Sequence, residues 1–102
     1  MSNIKVKCKI LGANHVIIRI TTKNEYNVFL QSYETIVVHI KNSGVITLDE
    51  NKWDYSKTTT KYVAKFLNES PAEIRLNIKN GIYKLGNLNK QWNERNLKNE
   101  QS

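Results

Sequence analysis

Apolar and polar residues alternate strictly at the start of the chain, with Ile4, Val6, Cys8 and Ile10 set against Lys5, Lys7 and Lys9. Alternation over this length predicts a half-buried β-strand. Leu11 to His15 carries turn chemistry, and Val16 to Thr22 predicts a second strand with Val16, Ile18 and Ile20 on one face. Pairing Ile10 with Val16 brings Cys8 to Ile18 and Val6 to Ile20. Pairing Ile10 with His15 instead sets Val6 against Arg19 and mixes the faces, so the first register is preferred. That register puts Lys7 opposite Arg19, with Lys5 and Lys9 alongside. Like charges directly opposite repel mildly, and the outer face of the hairpin is expected to carry an uncompensated positive stripe.

Further strands are predicted over Tyr26–Tyr33 and Thr35–Lys41, the latter with Ile36, Val38 and Ile40 on one face. Asn42, Ser43 and Gly44 form a three-residue hairpin connection, with Gly at the position that takes positive φ. Val45–Leu48 then returns, and Ile40 opposite Ile46 with Val38 opposite Leu48 keeps the apolar face intact.

The periodicity changes after Trp53. Tyr62, Val63, Phe66 and Leu67 fall at helical spacing within residues 56–68, while Lys57, Lys61 and Lys65 share the exposed face. Ser70-Pro71-Ala72-Glu73 combines an N-cap Ser, Pro at the first helical position and a capping-box Glu, which starts a second helix over 71–80. Asn80-Gly81 ends it, with Ile82 folding back onto Ile78. Tyr83 to Leu88 reads as a short extended segment. The fold class is therefore α+β: an antiparallel sheet of about five strands over residues 4–48, covered on one face by two helices at about 56–68 and 71–80. Residues 1–88 form one domain. Residues 89–102 form a polar, frayed tail, with Leu88 and Trp92 docking its start.

Charge sharpens this picture. The formal net charge is +7, high for so small a domain, and it favours anionic partners. Solubility alone is the plainer explanation of the excess. The charge is segregated. Met1 to Asn24 holds five basic residues and no acid, whereas residues 25–54 hold five acids and two lysines. One cysteine, Cys8, excludes an internal disulfide and any paired-Cys zinc site. No apolar run approaches the ~20 residues that span a bilayer. Met1–Lys9 lacks the apolar block of a secretory signal. A soluble intracellular protein with no membrane partner is expected.

The chemistry converges on Trp53-Asp54-Tyr55-Ser56-Lys57-Thr58-Thr59-Thr60-Lys61-Tyr62. Asp54 and Ser56 are both candidate helix caps. Exposed first-turn N–H groups, hydroxyls and Lys heads together favour an anion. Trp53 and Tyr62 are expected to seal the core at the strand–helix join. For Tyr55 two readings stand side by side, packing against the core and stacking on a base. The Thr run suits a helix start, where its hydroxyls bond backbone. The candidate anion-binding and nucleic-acid-binding residues are Lys5, Lys7, Lys9, Arg19, Tyr55, Ser56, Lys57, Thr58 and Lys61. No catalytic residue, metal site or cofactor is assigned. Neither His15 nor His39 has a partner at ligand spacing. Ser32, His39 and Asp49 resemble no nucleophile elbow.

Three pieces carry a resemblance: Asn27-Val28-Phe29-Leu30-Gln31-Ser32-Tyr33-Glu34-Thr35-Ile36-Val37, then Gly44-Val45-Ile46-Thr47-Leu48-Asp49, then Trp53 to Tyr62 leading to Phe66-Leu67. Over roughly residues 26–82 the chain resembles a family of small bacteriophage and prophage proteins with a QSY-x-T … WDYS-x-TT-x-KY … FL pattern. Leu30 looks like an insertion before Gln31-Ser32, and the first hairpin has no counterpart. The resemblance implies a phage accessory protein acting in the cytoplasm of a bacterial host. The expected function is non-catalytic: binding nucleic acid, or a host factor that handles nucleic acid, as an anti-CRISPR-like inhibitor of host defence would. Two alternatives stand beside it, a protein that sequesters a nucleotide signalling molecule and a self-assembling structural module without ligand. The oligomeric state is left open.

Overall fold

The computed structural model describes residues 4–89. Six strands lie in one sheet in chain order: β1 (Lys5–Gly12), β2 (His15–Thr21), β3 (Tyr26–Ser32), β4 (Thr35–Ile40), β5 (Ile46–Asp49) and β6 (Lys84–Gly86). Helices α1 (Lys57–Leu67) and α2 (Pro71–Lys79) fall between β5 and β6. The fold is α+β as the patterning predicts. The sheet is mixed, however, where five antiparallel strands are predicted. The two helices bring the chain back beside β5 in the same direction, and Leu85 pairs in parallel with Leu48. Lys84–Gly86 falls within Tyr83–Leu88, the segment that reads as extended. Its parallel place beside β5 is what the local pattern does not reveal, since three residues are too few to select a partner strand.

Both hairpin registers are those that the apolar pattern selects. Ile10, Cys8 and Val6 pair with Val16, Ile18 and Ile20, and Lys7 faces Arg19. Ile40 pairs with Ile46 and Val38 with Leu48. Gly44 takes its predicted positive φ, at 91°.

The inward face of the first hairpin is the reverse of the one predicted. Ile17, Leu30, Val38 and Leu48 form a buried row across β2 to β5, and Trp53, Val63, Ile74 and Tyr83 join them in one core. That row fixes the orientation of β2, because side chains alternate along a strand and paired residues share a face. Ile17 turns toward the helices, so Val16, Ile18 and Ile20 turn away with Val6, Cys8 and Ile10. Lys5, Lys7, Lys9 and Arg19 do share one side, but it is the helix-bearing side. They escape burial because α1 reaches only the far end of β1, where Tyr62 lies against Gly12. Lys5 to Ile10 are all exposed.

A bulge adjusts β4. Leu30 pairs with Val38 and Gln31 with Ile36, which leaves Val37 unpaired. Val37 and Val38 are both fully buried, and Ile36 leaves the face it would share with Val38 in a regular strand.

Both helices start as predicted. Ser56, not Asp54, caps α1: its hydroxyl accepts the Thr59 N–H. Ser70 and Glu73 complete the capping box of α2 with Pro71 inside it. Ile82 folds back only through its backbone, donating to the Asn77 carbonyl; its side chain stays 62% exposed. Asn89 belongs to the folded unit rather than to a tail. Its side chain exchanges two bonds with the backbone of Ile36 and donates to Asp49 Oδ1, filling the place beside β4 where β5 has ended. Leu88 is half-buried and donates its N–H to the same carboxylate oxygen. Trp92 and residues 90–102, predicted as tail, lie outside the described residues.

Candidate anion-binding site

The segment from Asp54 to Lys61 opens onto a shallow cleft of about 770 Å³ between the start of α1 and the start of α2. Tyr55, Ser56, Lys57, Thr60 and Lys61 line it from one side, and Pro71 and Arg75 from the other. The local sequence builds the first wall. Ser56 leaves the extended backbone and caps α1, so Lys57 sits in the first turn and Lys61 one turn on, over the same strip of surface. There is no acid in that first turn. The amides of Lys57 and Thr58 have no acceptor within the helix, as helix geometry requires. The helix dipole adds positive potential at this end.

Tertiary packing supplies the second wall. Arg75 stands over the buried Trp53 ring at 5.4 Å and meets Asp54 Oδ2 at 3.8 Å. Both partners are well exposed, so this pair is weak. Three cations, Lys57, Lys61 and Arg75, thus face one acid, Asp54. Tyr55 is 49% exposed with Lys52 above its ring at 5.3 Å. The hydroxyls of Ser32 and then Thr59 hold its phenol below the usual tyrosine value, and Lys52 pulls the same way.

The nine sequence-predicted residues divide. Tyr55, Ser56, Lys57 and Lys61 come together at the cleft. The Ser56 hydroxyl is occupied as a cap, which leaves it a structural role. Thr58 is exposed but does not line the cleft. Lys5, Lys7, Lys9 and Arg19 do not reach it; they form a separate strip on β1 and β2. Arg75 also lines the cleft and carries no signal in the local sequence, since only packing brings α2 beside Tyr55.

Of the Thr run, only Thr60 bonds backbone, donating to the Ser56 carbonyl. Thr59 is fully buried and serves the sheet. Its hydroxyl lies 3.0 Å from Ser32 Oγ and 3.4 Å from His15 Nε2. His15 Nδ1 donates to the Ala13 carbonyl at 2.7 Å, which leaves Nε2 to accept from Thr59 in the neutral ring. Tyr62 stacks on His15 at 4.3 Å, so it shields this polar cluster rather than the apolar core. His15, Ser32 and Thr59 are all fully buried, and the cluster pins α1 to the tips of β2 and β3. His39 donates to Asn27 Oδ1 and stacks on Phe29. Among the described residues, no three His, Cys, Asp or Glu side chains gather to hold a metal ion. No described helix is long and apolar enough to cross a membrane.

No curated protein and no solved structure matches the chain. A family model does match residues 4–81, covering both hairpins, the cleft and α2. With most of its length inside that match, the chain belongs to the family of unknown function DUF8033.

Proposed function

We propose that this chain is a non-catalytic phage or prophage accessory protein that binds nucleic acid through the cleft at the start of α1. The observation that carries the reading is the meeting of Lys57, Lys61 and Arg75 over an acid-free first helical turn, beside the exposed ring of Tyr55. Phosphates suit the three cations and the helix end. A base suits the tyrosine face, which is the combination that single strands engage. The phage context comes from the sequence resemblance and joins this binding to interference with host defence. A fluorescent single-stranded oligonucleotide titrated with the protein tests the reading. Binding is expected at low salt, with an affinity that falls steeply as salt rises.

The size of the cleft favours a second reading. About 770 Å³ suits a small ligand such as a nucleotide. A nucleotide binder would saturate with a mononucleotide or cyclic dinucleotide, gain thermal stability from it, and respond only weakly to salt. Binding of neither the oligonucleotide nor the nucleotides would remove the cleft as a site for either.

A further inference from the structure

The basic strip on β1 stands apart from the cleft and has a pattern of its own. β1 is an edge strand of eight residues, and among the described residues nothing pairs with its outer side. Lys5, Lys7 and Lys9 project on one face. Ile4, Val6, Cys8 and Ile10 project on the other, where Val6 is 58% and Ile10 78% exposed. We infer that the free edge of β1 is a docking site for an extended segment of an acidic partner protein, which adds a seventh strand with carboxylates opposite Lys5, Lys7 and Lys9 and apolar side chains opposite Val6, Cys8 and Ile10.

Three features select that occupant. An unpaired strand edge offers a row of backbone N–H and C=O groups, which another strand completes. The charge is one-sided: the strip already suffers Lys7 against Arg19, and a carboxylate on the outer flank relieves this where a further cation worsens it. The opposite face is apolar and uncharged along β1 and across β2 at Val16, Ile18 and Ile20. A nucleic-acid backbone satisfies the lysines but gains nothing from that face, whereas an alternating strand uses both.

A second copy of this chain is disfavoured by its own charges. A two-fold pairing of β1 with β1 keeps the helices of both copies on one side of the joined sheet. It therefore sets the lysines of one copy against those of the other, a common protection of sheet edges. The inference is independent of the cleft, so the cleft variant Lys57→Ala with Lys61→Ala serves as the test protein and removes that surface from the result.

The probe is a short acetylated peptide alternating glutamate with valine, followed by anisotropy and by amide hydrogen exchange. The peptide is expected to bind and to slow exchange within residues 5–10. A scrambled peptide of equal composition, and the alternating peptide N-methylated at every second residue, should each bind at least about tenfold more weakly, or about 1.4 kcal/mol. The variant Lys5→Glu with Lys7→Glu and Lys9→Glu should lose the glutamate peptide and accept a lysine–valine one. Equal binding of the scrambled and N-methylated peptides would overturn the inference, because charge alone would then suffice. So would full competition by an oligonucleotide that protects the same amides, or protection of the outward β1 amides before any peptide is added. The two modified peptides act on unaltered β1, so the test stands even if the triple variant does not fold.

Discussion

Single residues carry the joints of this molecule, and two of them make sharp predictions. Gly12 sits at φ 146°, where a β-carbon would stand 2.5 Å from the Tyr62 hydroxyl and 3.1 Å from its ring carbons. The ring is held by its stack on His15 and cannot retreat freely. Gly12→Ala therefore adds overpacking to an unfavourable backbone conformation, and about 1–3 kcal/mol should be lost in urea unfolding. An unchanged midpoint would mean that Tyr62 swings aside at no cost. His39 gives a dependence on pH. Burial first, and the charge of Lys41 second, hold its pKa below the usual histidine value. The unfolded chain then takes up a proton near pH ~6.5 that the folded chain accepts only at lower pH. The stability linked to His39 is full above that point and is lost as the pH falls through the folded pKa. Urea midpoints compared near neutral pH and near about pH 5 should drop for the parent protein, and His39→Gln should flatten the drop.

At the scale of elements, what was legible followed from local rules. The register of the first hairpin was readable because Ile10, Cys8 and Val6 have one set of apolar partners. Both helix starts were readable because Ser56, Ser70 and Glu73 act on amides three residues away. Which face of β2 turns inward was not readable, since both of its faces are apolar: Ile17 on one, Val16 and Ile18 on the other. The choice is made by β3, whose Val28 and Leu30 are buried. The Val37 bulge and the parallel pairing of β6 with β5 were hidden for a related reason, because each depends on a neighbour distant in sequence. Thr59 makes the point most clearly. Its partners Ser32 and His15 lie 27 and 44 residues away, and within its own segment it reads as one threonine of three.

Over the whole molecule, the net charge of the chain is +7, and among the described residues positive side chains gather in two separate features. One is the cleft built by α1 and α2, and the other is the strip on β1 and β2. Half of the cleft was visible in sequence, because Tyr55, Lys57 and Lys61 are close along the chain and one helical turn apart. The other half, Arg75 over Trp53, exists only once α2 packs beside α1. The central claim is that the cleft, rather than diffuse positive charge, holds the phosphates. The salt dependence of oligonucleotide affinity tests this most directly, measured for the parent chain and for Lys57→Ala with Lys61→Ala. Both lysines are exposed, so the variant should fold. Losing two phosphate contacts should weaken single-strand binding and flatten the slope of log K against log salt by about 1.4. An unchanged affinity with an unchanged slope would contradict the claim and leave the cleft without a role in binding nucleic acid.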